Sequence, residues 1–260
     1  MKRKEEEIID KITIDKHKKY QLIHGDALDV LPKFEPNIFD AVITDPPYAS
    51  GSTTMKGRMK STAQKYTDNK INSVLPNFEG DQQDQLSWIL WSAVWMGMCK
   101  DTLKQGGVFA FFIDWRQVPA MSIAIQMAGL THRGTVVWDK RNSRPQKGRF
   151  KQQCEFIMWG SKGKLDTNRP VSILPGIYSY SNVQGKKRLH QTQKPISLMS
   201  DISKICVPSG LILDPFAGSG STLEACVNDG YRAIGIEKTK PYYDLAKHRL
   251  EEHIPDIYLH

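Results

Sequence analysis

Cysteine is scarce: Cys99, Cys154, Cys206 and Cys226 are scattered through 260 residues, with no CxxC pair and no Cys/His group at metal-ligand spacing. This excludes a disulfide-stapled miniprotein, and the expectation is buried thiols in a reducing compartment with no metal requirement. Long apolar runs are missing too. None approaches the roughly 18 residues of a membrane span, and charges throughout the N-terminal stretch leave no signal-peptide core. The chain therefore reads as a cytoplasmic protein with no membrane partner. Internal repeats and low-complexity tracts are likewise absent, which removes repeat architectures. What remains is globular: 40% hydrophobic and 25% charged residues over a length that suits one sizeable α/β domain, 1–260.

The formal charge of +8 and a pI near 9.2 suit a polyanionic partner. The excess is uneven. Between Asp139 and Arg169 the net charge is +6, carried in part by Lys140, Arg141, Arg144, Lys147 and Arg149, and Gly51 to Lys70, which includes Arg58, adds +4. From Ile205 onward acids outnumber bases. Both basic stretches are polar and weak in apolar periodicity, so they read either as solvated faces or as surface loops able to bind phosphates.

Short β-branched or aromatic runs alternate with helical patterns. Strands are expected at Tyr20–His24, Phe39–Thr44, Gly107–Ile113, Thr135–Trp138, Phe156–Trp159, Leu211–Asp214 and Arg232–Ile236. Helices are expected at about 82–103, 118–128, 195–206, 219–229 and 241–252. This order predicts a doubly wound, mostly parallel sheet. Trp88, Trp91 and Trp95 recur at i, i+3 and i+7 on the longest helix, a core face or a subunit contact.

Leu211–Asp214 reads as a buried strand, followed by Pro215, Phe216, Ala217, Gly218, Ser219, Gly220 and then a helical run. The glycines allow a tight turn and close approach of a ligand to a helix N-terminus. Leu223 stands where a dinucleotide fingerprint needs its third glycine, and no Gly-Lys-Ser/Thr follows, so nicotinamide cofactors and ATP lose ground. The next strand ends in Glu237, where an acid can accept from two ribose hydroxyls. The third strand of this half is missing downstream. Tyr20–His24, ending near Asp26, can supply it from the N-terminus, which makes Asp26 either a reader of an adenine amino group or a helix N-cap.

Phe39–Thr44 delivers Asp45, Pro46, Pro47 and Tyr48 at its carboxyl end. Two prolines remove backbone donors, so the turn presents the Asp45 carboxylate and the Pro46 carbonyl as acceptors beside a flat ring. That set matches a planar group with an exocyclic NH2, whose delocalised lone pair becomes available when both protons are held. The bland alternative is a rigid turn.

Taken together, D-P-P-Y at Asp45–Tyr48 and F-x-G-x-G at Phe216–Gly220 resemble the S-adenosylmethionine-dependent amino-methyltransferases of DNA. The order, catalytic motif first, is similar to their circularly permuted β group, and the resemblance spans roughly 20–252. A segment similar to the family's H-P-T-Q-K-P lies at His190–Pro195, with Gln191 in place of proline. The resemblance implies a Rossmann-like methyltransferase fold with a catalytic half at 20–138, a small basic target-recognition segment at 141–189 and a cofactor half at 190–252. It implies that Asp214, Phe216, Ala217, Gly218, Ser219 and Gly220 surround the methionine part of the cofactor. Glu237 would hold the ribose, Asp26 the adenine end, and Lys194 with His190 and Gln193 the carboxylate end. Asp45, Pro46, Pro47 and Tyr48 would act on the N6 amine of a flipped-out adenine, with Tyr48 stacked on the base. Asp45 would also border the cofactor. Double-stranded DNA would meet Arg58, Lys140, Arg141, Arg144, Lys147 and Arg149, and a homodimer is expected by analogy. Cytosine N4 methylation and a non-catalytic cofactor-binding module remain the alternatives.

Overall fold

A computed structural model describes residues 10–48, 84–143, 145, 147–182 and 194–258. Its eight strands form one sheet in the order β1-β8-β7-β2-β3-β5-β4-β6. These are β1 (Tyr20–His24), β2 (Phe39–Thr44), β3 (Leu103–Ile113), β4 (Thr131–Asp139), β5 (Cys154–Ser161), β6 (Ile177–Ser179), β7 (Leu211–Asp214) and β8 (Arg232–Glu237). The helices are α1 (Ala27–Val30), α2 (Gln85–Thr102), α3 (Val118–Met127), α4 (Ile196–Ser203), α5 (Ser221–Asn228) and α6 (Lys240–His253).

Four consecutive residues of β2, Ala41 to Thr44, and all of β7 are buried. Because successive side chains point to opposite faces, these strands are covered on both sides, as a parallel sheet requires. The register of β7 on β2, Ile212 opposite Ala41 and Leu213 opposite Val42, is parallel. From this junction the chain winds one way through β8 and the other way through β3, so the junction is a topological switch point. β1 lies parallel to β8, with Tyr20 opposite Ala233 and His24 opposite Glu237. The N-terminal strand thus completes the C-terminal βαβ unit, as the joined-termini reading expects.

Among the described strands only β5 is reversed: it runs antiparallel to both β3 and β4. Its first residues therefore stand at the rim where β2, β3, β4 and β7 end. The stretch 141–189 contributes β5 and β6 to the sheet itself. β3 begins earlier than the pattern suggests because Leu103 pairs with Phe39 ahead of a bulge, with polar Lys104 and Gln105 hiding the extension. β6 and α1 are too short to show a period.

The helix starts follow local chemistry. Asp84 caps α2 by accepting from Leu86 N at 3.1 Å and Ser87 N at 3.0 Å. α2 packs on α3, and α4 on α5. Trp88 and Trp95 are fully buried and Trp91 packs against the core, so the tryptophan stripe is a core face, not a subunit contact. No helix among the described residues is long and apolar enough to cross a membrane.

Gly220 precedes α5 at φ 80°, and a Cβ there would stand 3.3 Å from the Ala246 methyl. A left-handed conformation costs an L-residue about 1–2 kcal/mol. Gly220→Ala should therefore lower the unfolding free energy by at least that amount in urea titration; an unchanged midpoint would show that the loop relaxes freely.

Candidate active site

Both loops expected to act leave the sheet at the switch point. The Thr44 hydroxyl donates to Asp214 Oδ1 at 2.6 Å, tying the last residue of β2 to the last of β7. Trp88 Nε1 donates to the Pro47 carbonyl at 2.7 Å. Three and seven residues on along α2, Trp91 and Trp95 hold the Phe216 ring at centroid distances of 5.5 and 5.1 Å. One face of one helix thus sets both the Pro-Pro turn and the glycine loop. Among the described residues no backbone N–H donates to the Pro46 carbonyl.

The glycine loop is fastened at both ends. Ala217 N donates to Ile236 O at 2.8 Å, and Gly218 N donates to Glu237 Oε2 at 2.9 Å. Thr239 N donates to the other oxygen, Oε1, at 2.7 Å. Glu237 is 9% exposed, and burial raises its pKa against these two donors. From below, Arg249 of α6 pairs with Glu224 and donates to Ser221 Oγ at 3.2 Å and to Ser219 O at 3.4 Å. Asp26 caps α1, accepting from Leu28 N at 2.9 Å, and pairs with Lys238 at 3.3 Å. It lies two residues beyond His24, the partner of Glu237 in the register, so both acids are on one sheet edge.

Asp45 and Tyr48 enter a buried ionic cluster. Lys194 Nζ lies 2.7 Å from Asp45 Oδ2 and 2.7 Å from Glu155 Oε1, and donates to the Tyr48 hydroxyl oxygen at 3.1 Å. Tyr48 OH bonds to Asp45 Oδ1 and reaches Glu155 Oε1 at 2.7 Å. Lys140 Nζ closes the other side of Glu155, 3.3 Å from Oε2. Burial pushes Asp45 up, Lys194 pulls it down and Glu155 pushes it up again, with a net upward shift. Burial also acts on Glu155, but Lys194 and Lys140 outweigh it and hold that carboxyl at about 2. Burial works against the Lys194 ammonium, yet the two carboxylates raise its pKa and keep it charged.

The structure therefore brings Asp45 to Tyr48, Lys194, Asp214 to Gly220, Asp26 and Glu237 to one rim. Lys194, expected at the carboxylate end of the cofactor, sits on Asp45 and Glu155 beside the Pro-Pro turn. One placement differs from expectation. Lys140, expected at the surface, turns inward to Glu155, because a carboxylate on the adjacent strand offers it a partner. Tyr48 is 8% exposed, its hydroxyl tied to the cluster. Arg141, Lys147 and Arg149 lie exposed on the 140–153 loop above the same rim. Arg58, Arg144, His190 and Gln193 lie outside the described residues. Glu155 went unnoticed in the sequence; its only mark is an acid opening an otherwise apolar strand.

Acceptors facing a glycine-lined loop across a switch point define a Rossmann-like group-transfer site. The profile described as "DNA methylase" matches residues 39–248, and the chain belongs to that family. Among curated relatives, Type II methyltransferase M2.DpnII of Streptococcus pneumoniae is 26% identical over 250 residues, covering 88% of this chain and 89% of that protein. Among solved structures, the M1.HpyAVI–SAM complex aligns with a TM-score of 0.64 at 24% identity, over 89% of this chain and 98% of that one. PvuII DNA methyltransferase (cytosine-N4-specific) aligns with a TM-score of 0.64 at 20% identity, over 95% of each chain. These two structural likenesses bear on the fold, a doubly wound sheet of the methyltransferase type.

Asp214 is buried without a cation beside it among the described residues, and burial pushes its pKa to about 6 despite donors from Thr222, Thr44 and Phe216 N. Its folded pKa exceeds the unfolded one, so its ionisation costs stability as pH rises from about 4 to about 6 and stays costly above. Asp214→Asn removes that cost. The variant should exceed the wild type by about 1 kcal/mol near pH 4.5 and by up to about 3 kcal/mol at pH 7.5 in chemical denaturation. A difference independent of pH would contradict this account.

Proposed function

We propose that this chain transfers a methyl group from S-adenosylmethionine to the N6 amine of adenine in double-stranded DNA. The observation that carries the reading is the Thr44–Asp214 junction, which sets an acceptor-rich Pro-Pro turn directly beside a glycine loop that starts from a buried acid. The residues suit the cofactor. Gly218, at φ 54°, adds no side chain to the loop, and Gly220, at φ 80°, lets the loop pack closely on Ala246 of α6. Each Glu237 oxygen accepts one backbone N–H and keeps a second lone pair, which fits the two hydroxyls of a ribose. Asp26 takes the adenine end, and Asp214 with Phe216 to Gly220 encloses the methionine part. When bound, S-adenosylmethionine supplies an electrophilic methyl carbon on a sulfonium.

The protein's own residues prepare the amine. The target nucleotide leaves the stack, since a stacked base cannot reach a sheet rim. Asp45 accepts one N–H and Pro46 O the other, which turns the nitrogen lone pair toward the methyl carbon and stabilises the positive charge that develops. Pro47, held by Trp88, fixes the turn. Tyr48 moves its hydroxyl off Asp45 and offers its ring to the base. The 140–153 loop, with Arg141, Lys147 and Arg149, contacts phosphates, and residues 141–189 serve target recognition around it.

Unmodified DNA incubated with the protein and donor should yield N6-methyladenine in nucleoside mass spectrometry, whereas N4-methylcytosine would reassign the base. Asp45→Ala should retain cofactor binding by calorimetry and lose roughly a hundredfold or more in transfer, the scale of one lost transition-state partner. Near-normal transfer would remove Asp45 from the mechanism.

We further propose a homodimer through the α2–α3 face. Leu86, Leu90 and Val94 at i, i+4 and i+8 form an exposed apolar stripe, and Ile123 and Met127 are exposed on the helix packed alongside. Leu90→Arg should convert a dimer to a monomer in sedimentation velocity. A wild-type monomer at micromolar concentration would refute the assignment.

A further inference from the structure

A carboxylate that has only to accept an N–H from a base has no need of a buried ammonium. Lys194 is nevertheless 6% exposed, with its Nζ at 2.7 Å from both Asp45 Oδ2 and Glu155 Oε1. The rings of Phe112, Tyr48 and Trp138 surround it at 5.2, 5.3 and 5.8 Å. Taking an ammonium out of water costs several kcal/mol that pairing must offset, so its place beside Asp45 calls for a chemical account.

The two oxygens of Asp45 have different neighbours. Oδ1 receives the Tyr48 hydroxyl and Oδ2 receives Lys194. Once Tyr48 yields, the rim presents an acceptor, Asp45 Oδ1, next to a donor, Lys194 Nζ. Adenine presents the reverse: an N–H donor on N6 beside the lone pair of ring N1. Enzymes that act on an extruded base read this edge. Guanine and thymine carry a carbonyl beside a ring N–H and mismatch the pair at both positions, whereas cytosine, with N4 beside N3, shares adenine's pattern, so the pair separates amino bases from keto bases.

Resting on the adenine reading above, we propose that Lys194 donates to N1 of the extruded adenine, both favouring an amino base over a keto base and occupying the lone pair that would otherwise compete for the methyl group. In free adenine the N1 lone pair lies in the ring plane and is the stronger nucleophile, whereas the N6 pair is delocalised. With N1 engaged by an ammonium, the N6 pair forms the new N–C bond. The S–C bonding pair stays on sulfur as a thioether, and the proton lost from the methylated amine passes to Asp45 and then to water. Glu155 is a positioning residue: with Lys140 on its second oxygen, it holds the Lys194 ammonium on the line of Asp45.

The test uses the full chain and a synthetic duplex carrying a site mapped from its own methylation of unmodified DNA. In one duplex the target adenine is replaced by 1-deazaadenine, which keeps N6 and puts C–H in place of N1. The wild type should methylate the deaza base with kcat/KM lowered roughly ten- to a hundredfold, the range for losing one hydrogen bond to a charged donor. Lys194→Met should process the two duplexes at similar rates and divert product on adenine to N1-methyladenine, read by mass spectrometry at neutral pH. Lys194→Arg should restore N6 selectivity, and Glu155→Gln should shift the product ratio in the same direction as Lys194→Met. Equal wild-type rates on both duplexes would overturn the role of Lys194 whether or not the variants fold, while leaving adenine methylation intact. Failure of the wild type to form any N6-methyladenine would overturn the adenine reading and this inference together.

Discussion

The parallel pairing of β2 with β7 is the constraint on which the site depends. Only two residue pairs, Ala41–Ile212 and Val42–Leu213, define its register. Beyond them each strand ends in a side chain that crosses to the other: Thr44 donates to Asp214. Slipping the register by one residue would turn both strand ends to the opposite face and separate them. Because the two strands come from opposite ends of the described chain, 170 residues apart at this hydrogen bond, no local interaction could replace it. The site is therefore a product of tertiary structure in the strict sense: neither motif is competent without the strand beside it.

α2 supplies the second half of this coupling. A helix presents residues three and seven apart on one face, and here that face carries Trp88, Trp91 and Trp95. The first holds Pro47 by its indole N–H, and the others hold Phe216 by ring contact. Large rigid side chains bury much apolar area with few rotatable bonds, so they fix distances at low entropic cost. A leucine stripe could fill the same volume but could not donate to a carbonyl. The choice of tryptophan at position 88 is thus functional as well as structural, while position 95 is explained by packing against Phe111 and Phe216.

Much of this was legible in the residue string, for identifiable reasons. β1, β2 and β7 appear at their observed limits because they are short apolar runs bounded by polar or proline punctuation, and the glycine loop carries its own spacing. The permuted joining of β1 to β8 follows from counting strands in the C-terminal half. Glu155 was not legible. An acid at the head of a strand ordinarily marks a solvated end, and only the reversal of β5 brings this one to the rim. Nor could the sequence place Lys194, since its partners lie 39 and more than 100 positions away. Lys140 looked like one more base in a basic run; its inward turn depends on standing beside Glu155 across the β4–β5 ladder, where Trp138 is in register with Glu155.

The reversed strand also explains why the ionic cluster and the basic loop occur together. Antiparallel neighbours are joined at one edge of a sheet, so the 140–153 connection between β4 and β5 must arch over the rim at which both Trp138 and Glu155 stand. A parallel strand in the same slot would have put Gly160 and Ser161 at the rim and sent its connection to the far edge. Reversal therefore delivers an anion to the side of Asp45 and a cationic loop above it in a single step. It also balances the charges: Asp45 and Glu155 against Lys194 and Lys140 sum to zero inside the protein. Buried ions are tolerable when each has an opposite partner within hydrogen-bond reach, and removing any one member leaves another uncompensated. The cluster is thus a closed set, and a base that enters must substitute for the Tyr48 hydroxyl, its one neutral member, while every ion keeps its partner.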